Sequence, residues 1–275
     1  MPELPEVENI RRQLEPLSSA RVMRIVTSPL RLRYALSTDD CAMLEGRVIA
    51  PRGPLRAGRY VLFPVEETGM LIIHLGMTGS LRLESQPRAR KHDHVALLFE
   101  TSDGKSCWLV YNDPRRFGGL ALLPSRSIAQ ARQHLRLGLE PTDPIQPETL
   151  LDLYNRSRPL KPLLMDNELV TGVGNIYASE ICHLAMLSPH KPGCTLSLSE
   201  AKRLSSALFS VIASAIAHGG STLRNYAHVD GSQGGAQQHH RVYGRAGHLC
   251  PRCGYKLAAS HQAGRATAHC PNCQL

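Results

Sequence analysis

Apolar residues near the start of the chain recur every three or four positions, at Val7, Ile10, Leu14 and Leu17. That spacing lines one face of a helix and predicts a helix over residues 5–17. Pro5 suits the first helical position, and Glu6 and Glu8 suit the positive end of the dipole. The period then changes. Runs rich in β-branched and aromatic residues predict strands at 21–28, 58–65, 69–75, 94–99, 106–112 and 118–123. Gly53-Pro54, Thr78-Gly79, Asp103-Gly104 and Asp113-Pro114 punctuate them as turns. Short strands joined in this way predict a β-sandwich or barrel.

From about residue 127 the helical period returns. Pro141, Pro144 and Pro147 form a stiff connector. Ser197-Leu198-Ser199-Glu200 is a capping box that opens a long amphipathic run ending at His218-Gly219-Gly220. The Gly- and Gln-rich stretch 229–238 is expected to be mobile. No internal repeat is present. The 275 residues suffice for about two domains with their own cores.

No apolar run reaches the ~18 residues of a membrane span. The nearest, Ala207–Ala217, is interrupted by Ser210 and Ser214. Glu3, Glu6 and Glu8 stand where a secretory signal would be basic and then apolar, so a cytoplasmic protein is expected. The net charge of +9 favours a polyanionic partner. Arg224, Arg241, Arg245, Arg252, Lys256 and Arg265 face a single acid, Asp230, in the last fifth of the chain. Ordinary solubility charge is the plain alternative.

Four of the eight cysteines form two pairs, Cys250-x2-Cys253 and Cys270-x2-Cys273. Each pair is a tight turn that points two thiolates one way. A hairpin between the turns brings all four to one tetrahedral zinc site. Cys41, Cys107, Cys182 and Cys194 are scattered and are expected to be small buried hydrophobes.

The chain end is a chemical group in its own right. Met1 is normally removed before a small residue, which leaves Pro2 as a free secondary amine. An α-amine titrates near pH 8, so about a tenth is unprotonated at neutral pH, far more than for a lysine. Condensed with an aldehyde-level carbon it gives an iminium, an electron sink that cannot neutralise itself by losing an N–H proton. Glu3 lies beside it and could move a proton. On position alone, a frayed terminus is the simpler reading.

Six motifs occur in order: Met1-Pro-Glu-Leu-Pro-Glu-Val-Glu8, His74-Leu-Gly-Met-Thr-Gly-Ser80, Lys91-His-Asp-His94, Asp113-Pro-Arg-Arg-Phe-Gly118, Gly172-Val-Gly-Asn-Ile-Tyr-Ala-Ser-Glu180 and the four-cysteine hairpin. In this the chain resembles the bacterial formamidopyrimidine-DNA glycosylases from its first residue to its last. Leu4 favours this branch over its endonuclease VIII sister, which typically has Gly there. The resemblance implies a multidomain α+β fold. An N-terminal β-sandwich with an N-terminal helix would span 1–130. A helical helix–two-turn–helix domain with a lesion-capping loop would span 131–240, and a zinc finger 241–275, with DNA between the parts.

The resemblance also implies an activity: excision of oxidised purines, 8-oxoguanine opposite cytosine and formamidopyrimidines, from double-stranded DNA. Nicking on both sides of the sugar follows, and abasic sites are substrates too. A bacterial, nucleoid-associated monomer with one structural Zn2+ would do this, because protein fills all four ligand positions.

Pro2 then becomes the nucleophile and Glu3 the proton carrier. Met77, Arg115 and Phe117 would fill the space left by the extruded base. Without the resemblance, Met77 and Phe117 read as core. Asn175 in the Gly172-Val-Gly turn, together with Arg265, His92, Arg156 and Lys161, matches phosphate- or DNA-contacting positions. Arg59 and Arg156 stand where the family commonly has Lys. Arg59 keeps a fixed charge that can fork a phosphate, but it is a poor proton donor, so elimination is expected to be slower. Ala236 stands where an aromatic is common. An oxidised-pyrimidine glycosylase and a non-catalytic damaged-DNA-binding protein are the alternatives.

Overall fold

The computed structural model, which describes residues 1–86, 88–221 and 235–275, begins with helix α1 (Leu4–Gln13). Glu3 is its N-cap and pairs with Glu6 in a reciprocal capping box. Pro5 therefore lies second in the helix, one place later than its sequence signal suggests. The apolar stripe to Leu17 is real and buried, but the α-helix stops short of it. Pro16 has no N–H to return, and Glu15–Leu17 continues as a 3-10 turn.

Two antiparallel four-stranded sheets follow. One orders β1 (Arg21–Thr27), β6 (Asp93–Glu100), β7 (Ser106–Asn112) and β5 (Ser80–Glu84). The other orders β2 (Leu55–Ala57), β3 (Tyr60–Val65), β4 (Gly69–His74) and β8 (Gly119–Leu123). A short helix, α2 (Thr38–Leu44), lies between β1 and β2. Alternate residues of both sheets, among them Val61, Phe63, Ile73, Leu97, Phe99 and Leu109, share one core with Val7, Ile10 and Leu14 of α1. Phe63 and Phe99 stack across it with centroids 6.4 Å apart. Strands β2 and β5 carry no run of β-formers. In β5 the outward Arg82 and Glu84 interrupt the pattern and pair with each other at 2.9 Å.

Register brings two loops together. His74 of β4 pairs with Gly119 of β8, and Ser80 of β5 pairs with Asn112 of β7. The loop 75–79 thus crosses from one sheet to the other, and the loop 113–118 crosses back beside it. Helix α3 (Ile128–His134) comes next. Together with the stretch from Gly219, Met1–Leu135 makes one compact unit.

Arg136–His218 and Gly235–Leu275 make the other. It contains α4 (Pro147–Tyr154), α5 (Leu160–Leu164), α6 (Asn175–Ala185), α7 (Leu198–Ala217) and a terminal hairpin of β9 (Ala258–Gln262) and β10 (Arg265–His269). Helix α6 is buried on nearly every side. Its Glu180 carboxylate accepts the backbone N–H groups of Arg241, Val242 and Tyr243 at 2.8, 3.0 and 2.8 Å. Of the Gly/Gln-rich stretch 229–238, residues 229–234 lie outside the described residues, and Ala236–His239 form a 3-10 turn. The scattered cysteines correct the expectation of uniform burial. Cys182 is buried, Cys41 and Cys107 are half-buried, and Cys194 is exposed because it sits in a surface 3-10 turn. Among the described residues no helix is long and apolar enough to cross a membrane.

The Ser197 capping box is present. Its hydroxyl accepts Glu200 N–H at 3.3 Å, and the Glu200 carboxylate accepts Ser197 N–H at 2.9 Å. Ser197→Ala should cost about 1 kcal/mol, read as a lower urea midpoint with an unchanged slope.

Candidate functional site

In the first unit, Pro2 and Glu3 are buried at the start of α1. The Glu6 carboxylate accepts Glu3 N–H at 2.8 Å through one oxygen and Ser221 N–H at 2.7 Å through the other. The first turn is therefore tied to the stem of the segment that follows α7. Gly220 lies so close that a Cβ there would meet Glu6 Oε1 at 2.9 Å. Arg59, 8% exposed, directs Nη1 at the Met1 sulfur at 3.6 Å. The guanidinium thus faces residue 1.

Next to Arg59, at the end of β4, His74 packs against the Tyr60 and Tyr34 rings at 4.8 and 5.7 Å. Its Nδ1 accepts Gly76 N–H at 3.2 Å. Burial first, and then the Arg59 and Arg33 cations, pull its pKa down from 6.5 to about 4 despite the opposing Asp113 charge. His74 is therefore a neutral imidazole with Nε2–H as donor.

Met77 and Phe117 are 43% and 44% exposed, unusual for large apolar groups on adjacent loops. The Arg115 guanidinium lies 4.5 Å over the Phe117 ring. Under them Asp113 is wholly buried. His92 has a left-handed backbone, and its carbonyl accepts Asp113 N–H at 3.1 Å.

In the second unit, three of the sequence-derived residues converge on the hairpin. Lys161 donates to Thr267 Oγ1 at 2.7 Å and to the Ala266 carbonyl at 3.2 Å, and Asn175 Nδ2 reaches the same carbonyl at 3.3 Å. The exposed Arg265 is next in the chain. Arg158, Lys161, Gln262 and Arg265 line a cleft of about 200 Å³ there, a basic cradle suited to an anion. Lys161 is only 1% exposed, so much of its role is to hold the hairpin against α5. Arg156 is exposed.

The Sγ atoms of Cys250, Cys253, Cys270 and Cys273 all lie within 4.8 Å of one another, with Cys253 and Cys270 at 3.5 Å. A tetrahedral thiolate site around a divalent ion has sulfurs about 3.8 Å apart, so the cluster can hold a metal ion. Its surroundings fit a thiolate set. Cys273 N–H points at Cys270 Sγ at 3.4 Å, and His183 Nε2 lies 3.4 Å from Cys250 Sγ. Burial and the Arg252 and Arg241 cations hold the His183 pKa near 4. The neutral ring can then donate to sulfur.

A family profile for the formamidopyrimidine-DNA glycosylase N-terminal domain matches residues 1–120, and one for the H2TH domain of the same enzymes matches residues 137–227. The formamidopyrimidine-DNA glycosylase of Thermus thermophilus is 43% identical over all of this chain and 98% of its own. The crystal structure of the Thermus thermophilus protein superposes with a TM-score of 0.84 at 42% identity, covering 99% of this chain and 98% of that one. A Lactococcus lactis variant in complex with Fapy-dG-containing DNA superposes at 0.88 with 33% identity and 99% of each chain covered. The chain belongs to the formamidopyrimidine-DNA glycosylase family. It is accordingly a DNA glycosylase of base excision repair.

The motifs of this family contain three residues whose roles sequence reasoning missed. By sequence Glu6 is a dipole partner alone, whereas in the fold it bridges Glu3 and Ser221, the latter 215 residues from Glu6 in sequence. His74 and Asp113 open their motifs, yet neither stands out from sequence as a site residue. For Glu6 the signal is its position three residues after Glu3. For Asp113 it is the turn it begins.

His74 makes a pH prediction. Its folded pKa lies below its ordinary value, so the unfolded chain binds the extra proton between 6.5 and about 4. This residue alone makes stability rise with pH across that window and is indifferent above it. Its ring proton resonance should stay fixed between about pH 7 and about pH 5. In Arg59→Met, which removes one of the causes, the titration midpoint should move upward.

Proposed function

We propose that this chain removes oxidised purines from duplex DNA and cuts the strand at the resulting site, with Pro2 as the nucleophile. The observation that carries the reading is the order at the chain start. Residues 2 and 3 are buried and the Glu3 amide is tied down by Glu6, with the Arg59 cation facing residue 1. A merely frayed terminus would have none of these contacts.

With Met1 removed, the Pro2 nitrogen attacks C1′ of the damaged nucleotide. The C1′–base bond breaks and the base leaves with the electron pair and a proton. Glu3 supplies a proton to the sugar or base as the ring opens to an iminium at C1′. The iminium acidifies the C2′–H bond. A base, the Glu3 carboxylate or water, takes that proton and the bonding pair expels the 3′ phosphate. Loss of a second proton expels the 5′ phosphate, and water hydrolyses the remaining unsaturated sugar fragment from Pro2. The products are a one-nucleotide gap with phosphate at both ends. Arg59 binds phosphate and cannot readily exchange protons at neutral pH.

Met77, Arg115 and Phe117 enter the space vacated by the base, and Arg115 hydrogen-bonds the widowed partner base. Asn175, Arg265, Lys161, His92 and Arg156 serve the backbone, with His74 as a further neutral donor. The functional parts are residues 1–130, 131–240 and 241–275. The metal ion is one structural Zn2+ held by Cys250, Cys253, Cys270 and Cys273. The protein acts as a cytoplasmic monomer on the nucleoid. Related complexes support the DNA class: Lactococcus lactis enzymes are known with DNA containing Fapy-dG and an abasic site.

One observation favours a second substrate class. The wild-type Lactococcus lactis enzyme is also known with DNA containing an oxidised pyrimidine. Rates on 8-oxoguanine and thymine glycol duplexes decide between them, and faster cutting at thymine glycol would reverse the order proposed here.

Intact mass should show Met1 absent, and borohydride should trap a covalent adduct on lesion DNA. A chain with an N-terminal extension, which has no free amine at Pro2, should give no adduct and only background cutting. Normal cutting by that chain would remove the nucleophile assignment. Cys253→Ala should lose zinc and most DNA affinity together, because so short a hairpin depends on its ion for folding. Equal affinity in zinc-free protein would count against a structural ion.

A further inference from the structure

We infer that the Asp113 carboxylate is a positioning residue that clasps the Met77 loop and the Arg115–Phe117 loop into one rigid wedge. The inference rests on the proposal that those three side chains fill the vacated space. Loops 75–79 and 113–118 lie outside the strand ladders, so their backbone amides need other acceptors. The Asp113 carboxylate supplies two of them, for Arg115 and Gly118, and takes the Thr78 hydroxyl of the other loop. Its Oδ1 accepts the Thr78 hydroxyl at 2.5 Å and Arg115 N–H at 3.1 Å, and its Oδ2 accepts Gly118 N–H at 3.0 Å and the Tyr111 hydroxyl at 3.1 Å. Its own backbone is engaged as well, N–H to the His92 carbonyl at 3.1 Å and C=O to His94 Nε2 at 3.1 Å.

The Thr78 hydroxyl is the side-chain link from the opposite loop. It is one residue from Met77, and the amide of Arg115 is held by the same oxygen. The loops also touch through glycine. A Cβ at Gly118 would overlap the His74 carbonyl and meet Gly76 N at 2.7 Å, and one at Gly76 would meet Gly118 N at 2.6 Å. That close approach lets a single carboxylate reach both loops.

Burial raises the carboxyl's pKa and the four donors lower it, with a net result below the ordinary carboxylate value. The group is therefore an anion at neutral pH. Hydrogen bonds to an ionised acceptor are the stronger kind. A side chain that must enter a base stack gains from being ordered in advance, since ordering it on binding would weaken the complex.

The test uses the whole zinc-loaded protein on two substrates. One is duplex DNA with 8-oxoguanine opposite cytosine or adenine. The other is single-stranded DNA with an abasic site, where there is no partner base and no space to fill. Thr78→Val should lower duplex excision and the cytosine-over-adenine preference by about tenfold, the scale of a small misplacement, with single-strand cutting unchanged. Thr78→Ser should restore both. Asp113→Asn should show the same pattern more strongly, and if it fails to fold, the Thr78 pair decides.

Equal losses on both substrates would overturn the inference, since the clasp would then support only the fold. Unchanged duplex excision in Thr78→Val would also overturn it, provided Met77→Ala, Arg115→Ala and Phe117→Ala combined abolish that excision. If the combined variant keeps duplex excision, the space-filling assignment itself fails, and the clasp's role with it.

Discussion

A chain end is ordinarily the least ordered part of a fold, yet the proposed chemistry needs one held still. The Glu6 carboxylate meets that need. One oxygen caps the helix at Glu3 and the other grips Ser221. A nucleophile gains from such order because its attack geometry is set before substrate arrives. The capping box, usually a device for helix stability, would here also be the mount for the proposed nucleophile. The same contact ties the mount to the stem of the segment beyond Gly220.

Much of this fold could be read from the chain because its signals are local. The stripe of Val7, Ile10 and Leu14, the Ser197 cap and the paired cysteines each lie within a few residues of what they determine. Strand β5 was hidden because Arg82 and Glu84 satisfy each other on its outer face. The helix start shifted by one because Glu3 competes with Pro5 for the boundary, and the cap prevails.

The harder residues are those whose partners are distant in sequence. Lys161 matches a DNA-contacting position by resemblance, and nothing local to it signals burial, since lysine is almost never fully buried without partners. Its partners, Thr267 and the Ala266 carbonyl, lie more than a hundred residues away. Asp113 reads as a turn residue, which it is, but its second loop is reached only through the pairing of β4 with β8 and of β5 with β7. Periodicity has no access to such pairings. The motifs pointed to these regions, while the roles within them depend on geometry.

Helix α6 meets the last thirty-five residues at several places, three of them through its side chains. Asn175 reaches Ala266, Glu180 gathers the amides of Arg241, Val242 and Tyr243, and His183 lies against Cys250. From the first of these anchor points to the last is eight residue steps, about 12 Å of helix rise. The helix therefore acts as a ruler for the terminal segment. One residue inserted between Asn175 and Glu180 would swing one anchor about 100° around the axis relative to the other two. An unbroken residue count along α6 is what keeps these anchors in phase with the terminal segment.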